Sequence, residues 1–282
     1  MLATTTGGDN TAVGAFALDA NTTGVQNTAI GYFSQSGMTT ASGNTSVGYG
    51  TLAVATASYN TAFGYNALDV CSTGGGNTAI GVNALGSTTT GTNNVTLGLS
   101  AGNSITTGGN HLILGYNAGN SGSPGGAITT GNNEVTIGNG DHSKINVQVS
   151  LTVASDERDK TDFNDLDLGL AFVNQLQPVT YKWDKRHKYV DWDSNPDADL
   201  NSVTTDGTHK ESWLDVGFKA QAVNTLEEAA GYKISDEKNL TVSLSGDGKQ
   251  YGLQYEKFVP ILVKALQEAD DKIDAVSYTH LR

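Results

Sequence analysis

The chain is predicted to be mainly β. A repeat β-roll or β-solenoid that stacks as a trimer is followed by a smaller α+β domain ending in a helix. Three observations lead there. A large apolar residue followed by glycine recurs about every 17 residues through the first half. Composition changes abruptly near residue 154. Beyond it, period-two and helical apolar spacings alternate along the chain. Residues 1–153 hold 28 of the 35 Gly, five acids (Asp9, Asp19, Asp69, Glu134, Asp141) and one base, Lys144. Residues 154–282 carry 24 acids, 15 bases, all three Trp and three of the four Pro. The net charge of −13 therefore divides into −4 and −9. Neither half has a basic stripe, which argues against binding the phosphate backbone of nucleic acid.

The repeat begins with Asn10-Thr-Ala-Val-Gly14, and its closing glycines are Gly14, Gly31, Gly48, Gly64, Gly81, Gly98, Gly115 and Gly138. Their spacings are 17, 17, 16, 17, 17, 17 and 23, the long last step containing the loop insertion Ser121–Gly126. A fixed period of this kind means stacked units. The residue before each glycine is always large and apolar: Val13, Ile30, Val47, Phe63, Ile80, Leu97, Leu114 and Ile137. With small or β-branched neighbours, that fits a short strand with one face buried. The glycine permits positive φ or a close backbone approach. A second apolar site follows, as in Ala17-Leu18, Ala67-Leu68 and Ala84-Leu85, and the Thr-Thr-Gly and Gly-Asn clusters are turn chemistry. Seventeen residues thus read as two short strands and two turns, one coil of a solenoid. One coil cannot bury its own apolar face, so coils stack. At ~4.8 Å per layer, eight coils span roughly 40 Å. Two or three large apolar residues per coil make a thin core, from which we expect three chains to pack together. A disordered Gly/Asn/Thr linker would not place an apolar residue at the same point of all eight repeats.

Repeats of the form Asn-Thr-Ala-Ile-Gly-x-x-Ala-Leu resemble those of bacteriophage tail fibres. They are also similar to the left-handed β-roll heads of trimeric autotransporter adhesins. The resemblance covers residues 9–140 and implies a homotrimeric, extended, surface-exposed fibre. Its partners would be a host cell-surface receptor or glycan, bound through the rod, and other tail proteins.

The remaining elements follow in order. Ile145 to Val153 alternates with period two and reads as a strand leaving the rod. Leu166 to Leu176 closes in a short helix stopped by Pro178. Val179 to Trp183 alternates again as a strand. Residues 184–211 form a polar, acidic insertion. Trp213 to Phe218 resumes a strand, Gln221 to Ala230 is helical, and Leu240–Leu244 with Tyr251–Leu253 makes a hairpin around Gly246-Asp-Gly248. A final helix starts near Tyr255, with Pro260 in its first turn. Leu262, Leu266, Ala269, Ile273 and Val276 step by 4, 3, 4 and 3, an a/d seam. The same spacing also fits an amphipathic helix packed on its own domain.

Four blocks in this half resemble the C-terminal intramolecular chaperone domain of phage tailspikes and tail fibres, a self-cleaving serine peptidase family. They are Ala154-Ser-Asp-Glu-Arg-Asp-Lys160, Leu176-Gln-Pro-Val-Thr-Tyr-Lys-Trp183, Asp215-Val-Gly-Phe-Lys-Ala-Gln-Ala-Val223 and Tyr251 to Glu268. The expected domains are a β-roll shaft or receptor-binding region, 1–153, and a chaperone auto-processing domain, 154–275. The resemblance implies that Ser155 is the nucleophile and Lys160 its base, in a single-turnover endopeptidase with no activity on other substrates. The cut bond adjoins Ser155, either Ala154–Ser155 or Ser155–Asp156. A serine hydroxyl needs a base to take its proton, and a lysine serves only when neutral, so its pKa of about 10.4 must fall by several units. A five-residue spacing lets a tight turn join the two. Asp156 and Arg158 orient that turn. The family usually has a large apolar residue just before the lysine. Asp159 stands here instead, and a carboxylate beside Lys160 favours the charged amine.

The alternative is a bacterial trimeric surface adhesin with the same rod and a non-cleaving trimerisation cap. No cofactor and no metal are expected. His187 and His209 lie among Asp191, Asp193, Asp197, Asp199 and Asp206, a set that reads as a solvated acidic loop rather than a metal site. Asn195-Pro-Asp197 reads as a turn. No apolar run reaches the ~18 residues of a membrane span, so no membrane insertion is expected. The expected location is the virion tail fibre, assembled in the host cytoplasm. Residues 276–282 read as a sequencing-adapter artefact, Val276-Ser-Tyr-Thr-His-Leu281 resembling a translated adapter, so that the natural chain would continue past Ala275.

Overall fold

A computed structural model describes residues 3–192, 194–195 and 198–280. Residues 1–2, Asp193, Pro196, Asp197 and residues 281–282 lie outside the described residues, and with them part of the expected 195–197 turn. The chain divides into two compact units. The first comprises Met1–His142, Asp184–His209 and Ser245–Gln250, and the second Ser143–Trp183, Lys210–Leu244 and Tyr251–Arg282.

The first unit is a β-solenoid. Eight three-residue strands stand one per repeat: β1 (Thr11–Val13), β2 (Thr28–Ile30), β3 (Thr45–Val47), β4 (Thr61–Phe63), β5 (Thr78–Ile80), β6 (Val95–Leu97), β7 (Leu112–Leu114) and β8 (Val135–Ile137). They form one parallel sheet in sequence order, each pairing with its repeat equivalent, as Ala12 with Ala29 and Val13 with Ile30. The expected second strand of each coil is absent from the described residues. Its place is taken by turns, because residues there adopt left-handed φ, among them Leu18, Leu52, Leu68 and Leu85 at +50 to +52°. Gly102 and Gly119 hold the equivalent position in later coils with φ +64 and +74°. The glycine after each strand is needed sterically. At Gly64 φ is +138°, and a Cβ would run into the carbonyl oxygen of Gly81 in the next coil.

The large apolar residue before each glycine is not the buried one. The strand's central residue faces inward: Ala29, Ser46, Ala62, Ala79, Thr96 and Ile113 are buried. The row Val13, Ile30, Phe63, Ile80, Leu97 and Ile137 faces out, 38–56% exposed. Because successive strand side chains alternate between faces, burying the central residue (Ala or Ser in β2 to β5, Thr96 in β6, Ile113 in β7) turns the large residue before the glycine outward. The core is completed by Leu18, Leu52, Leu68 and Leu85 and by the column Met38, Ala55, Cys71, Ile105 and Ile128. Beside the outward row, Tyr32, Tyr49 and Tyr65 stack with centroids 5.5 and 5.1 Å apart.

A buried asparagine column adds a polar spine. Asn60 Oδ1 accepts from Asn77 N (2.9 Å), while Asn60 Nδ2 donates to Gly74 O (2.9 Å). The same pair of bonds recurs at Asn27, Asn77 and Asn94. His111 continues the column. Its Nδ1 accepts from Glu134 N (3.2 Å), so Nε2 carries the proton and donates to Gly131 O (2.8 Å). Each such bond contributes about 1 kcal/mol net, and losing one partner inside costs more.

The acidic insertion belongs to this first unit from Asp184 to His209. Lys185 Nζ donates to Gly140 O and His142 O, both at 2.9 Å. Arg186 donates to Leu200 O and Lys249 O, both at 2.8 Å. Asp247 accepts from Ala127 N at 3.1 Å.

The second unit contains α1 (Leu170–Val173), β9 (Val179–Tyr181), β10 (Asp215–Gly217), α2 (Ala220–Ala229), β11 (Val242–Leu244), β12 (Tyr251–Leu253) and α3 (Phe258–His280). β9 pairs antiparallel with β10 and β11 with β12, so the helices, the strands and the hairpin stand where the spacing predicts them. Leu168, Phe172, Val223, Val242, Phe258 and Ile261 form the core. Wholly buried Glu227 on α2 accepts from Leu240 N (3.1 Å), Thr241 N (2.7 Å) and the Thr241 hydroxyl. Glu268 on α3 accepts from Leu170 N at 2.8 Å, which caps α1. α3 packs through Phe258, Ile261 and Ala265, so its seam residues Leu262, Leu266, Ile273 and Val276 remain exposed.

The strand expected over 145–153 is not formed. The segment has no strand pairing, and Ile145, Val147, Val149, Leu151 and Val153 are 60–85% exposed. Alternation alone does not make a strand without a neighbour to take its hydrogen bonds.

Candidate functional site

The residues singled out at the composition boundary come together in one turn. A single 3-10 turn, Glu157–Asp159, follows Asp156, whose Oδ1 accepts from Arg158 N at 2.9 Å. Arg158 folds back onto the same carboxylate, Nη2 to Oδ2 at 2.6 Å. The guanidinium hydrogen bond, joined by the backbone one, holds the Asp156 carboxyl below its ordinary range and raises Arg158 in turn. Lys160 N donates to Glu157 O at 3.1 Å and closes the turn. The chain reversal brings Lys160 Nζ to 2.5 Å from Ser155 Oγ. The serine and lysine are thus joined, and Asp156 and Arg158 fix the turn between them. Asp159 makes no ion pair with Lys160 among the described residues. Every residue from Ala154 to Lys160 is exposed.

A hydroxyl in contact with an amine can pass its proton to that amine once the amine is neutral. Attack on the carbonyl of Ala154 would close a five-membered ring. Attack on the carbonyl of Ser155 itself would close a strained four-membered one.

The other candidates fall differently. Buried His187 stacks on Trp192 (centroids 5.3 Å) and lies 3.4 Å from Asp141, while His209 meets Tyr189 edge-on. Among the described residues no group of three His, Cys, Asp or Glu is arranged to hold a metal ion. Asp193 and Asp197 lie outside them. No described helix is long and apolar enough to cross a membrane.

Residues 155–232 match the family model described as "Chaperone of endosialidase". The match opens on Ser155 and includes Lys160, α1, β9, β10 and α2. It ends before the hairpin and α3, short of the 154–275 span that the sequence blocks suggest. No curated protein matches the chain, and no solved structure does. The molecule therefore carries a chaperone-type domain, similar to a peptidase-related chaperone family, after a β-solenoid repeat region. Sequence reasoning missed the asparagine spine, although its Asn opens six of the eight repeat segments. It also missed Glu227 and Glu268, for which no local signal exists.

Proposed function

We propose that the chain is part of a phage tail fibre or tailspike. Its chaperone domain, from residue 154 onward, drives homotrimer assembly and is then released by autoproteolysis next to Ser155. The observation that carries the reading is the 2.5 Å contact of Ser155 Oγ with Lys160 Nζ at the first residue of the matched span. Two exposed apolar surfaces support the trimer: the outward row of the solenoid and the α3 seam. Uncovered apolar rows of this extent mark surfaces for other chains, and an a/d seam fits a three-stranded coil.

In the reaction, neutral Lys160 takes the Ser155 hydroxyl proton, and Oγ attacks the Ala154 carbonyl carbon. The Ala154–Ser155 C–N bond breaks, and the freed Ser155 amine takes that proton. Water then hydrolyses the Ala154–Oγ ester. In a single chain the pair is bathed in water, which holds a lysine charged. Neighbouring subunits would desolvate it, which couples cutting to assembly. Stacked non-local strands fold slowly and need a common register, and a domain that trimerises first supplies both proximity and alignment.

The test is intact mass and sedimentation of the full chain, wild type against Ser155→Ala and Lys160→Met. A trimeric wild type split between Ala154 and Ser155, with both variants whole, is the expected result. A whole, trimeric wild type would overturn self-cleavage. It would favour the second reading, a bacterial trimeric adhesin with a non-cleaving cap, which draws on the solvent exposure of Ser155 and Lys160. A monomeric chain would overturn both.

A further inference from the structure

The solenoid's turn face changes character along its length. Two positions after the leucine column of each repeat turn, the residue is Ala20, Gly37, Val54 and Val70 in the early coils, then Ser87, Ser104 and Ser121 in the next three. The neighbouring left-handed column runs Phe16, Phe33, Gly50 and Asn66, then Asn83, Ser100 and Asn117. Up to the insertion that begins at Ser121 the turn keeps the same left-handed positions, so the fold itself does not require hydroxyls and amides at Asn83, Ser87, Ser100 and Ser104.

They line a cleft of about 760 Å³, bordered also by Trp192 and Lys249. That lies inside the ~300–1,000 Å³ range of small-ligand sites. Among the described residues the side chains of Asn83, Ser87, Ser100, Asn103, Ser104 and Ser121 make no hydrogen bond, and none of their polar atoms is buried without a partner, so these donors and acceptors are open to the cleft's solvent. Trp192 is oriented by two contacts, its Nε1 donating to His187 O at 3.0 Å and its ring stacked on His187. The cleft's two charged residues, Asp247 and Lys249, are of opposite sign. Asp247 is already engaged by Ala127 N, Ser245 Oγ and Lys249 N.

We infer that this cleft is a binding site for a neutral saccharide. The chemistry selects that class. Backbone amides such as Ser100 N and Gly102 N are spent on neighbouring coils (Val82 O, Ala118 O), so an extended peptide cannot add as a strand. One lysine is too few for a polyphosphate. A ligand rich in hydroxyls replaces the water on the unpaired Asn and Ser groups one for one. Its C–H face lies on an amphipathic indole of fixed orientation. The coil repeat offers an Asn or Ser with a Ser four residues on (Asn83/Ser87, Ser100/Ser104, Asn117/Ser121) every ~4.8 Å, as a linear polymer of like units would use. The inference deepens the fibre reading above and rests on it, by naming the class of surface molecule met by the rod.

The full chain is tested on an array of neutral bacterial surface polysaccharides and oligosaccharides, with polyanionic saccharides alongside. Wild type, Trp192→Ala and Ser104→Val are compared, and affinities come from titration of the strongest ligand. Valine is compatible with the fold at position 104, since Val54 and Val70 occupy the same place. The expected result is binding to a neutral saccharide, weakened at least tenfold by Trp192→Ala. Ser104→Val should weaken it about three- to tenfold, the loss of one hydrogen bond, with an unchanged melting temperature. No neutral ligand on the array, preference for the polyanions, or binding indifferent to both variants would overturn the site. Intact mass and sedimentation of the same sample separate the two readings. A cleaved trimer without saccharide binding fails the cleft alone, and a monomer fails the fibre.

Discussion

The solenoid and the second unit are held together in opposite ways. In the solenoid each stretch bonds to the corresponding stretch one coil away, as Thr61 N to Asn77 O and Thr78 N to Asn94 O, so any one bond is repeated many times along the unit. In the second unit, single side chains tie distant segments: Glu227 the α2 helix to the start of β11, Glu268 the last helix to the first. Redundancy spreads the cost of a defect over neighbours, whereas a unique tie concentrates it.

Glu227→Ala probes the unique tie and carries the largest expected effect. It strips acceptors from two backbone N–H groups and the Thr241 hydroxyl, each costing about 1–3 kcal/mol if left unpaired. Urea unfolding should show the second unit's transition lowered by about 3 kcal/mol or more with the solenoid's unmoved. A common shift of both would break the contrast. Gly64→Ala comes next, at about 2–3 kcal/mol from positive φ and collision with Gly81. Hydrogen exchange should quicken at the coils on either side while the distal coils stay protected. Asn60→Ala removes one rung of the polar spine and should cost about 2 kcal/mol by thermal melting. Asn10→Ala, in a part-buried end rung, should cost less, and equal losses would count against a graded spine.

Two smaller effects report on local state. Burial pushes the Cys71 thiol up to about 11, so at pH 8 the native protein should resist alkylation that goes to completion in denaturant, as read by mass. Asp156, whose folded pKa is depressed by Arg158, favours the turn above the ordinary carboxylate pKa. It loses that preference as pH falls through the depressed value. Arg158→Ala should move its NMR titration midpoint upward, toward the ordinary carboxylate value.

The same contrast explains what the sequence revealed. A periodic fold repeats its evidence, and eight glycines in register leave little room for another architecture. Periodicity did not say which side of the strand is inside, because Val13 and Ile30 look like core until the pleat assigns Ala12 and Ala29 there. The contact of Ser155 with Lys160 was legible because it is local, five residues across one turn. The pairing of Glu227 with Thr241 was not, since nothing near either residue marks the other. Nor did alternation at 145–153 reveal that its strand lacks a partner.

The solenoid's hydrogen bonds run from coil to coil, along the stacking axis, which gives this unit a mechanical character. Under tension along that axis the interfaces act in series, while the backbone and asparagine bonds within any one interface share the load in parallel. The unit would hold until its weakest single interface parted. Reinforcing any other coil would add nothing to its strength.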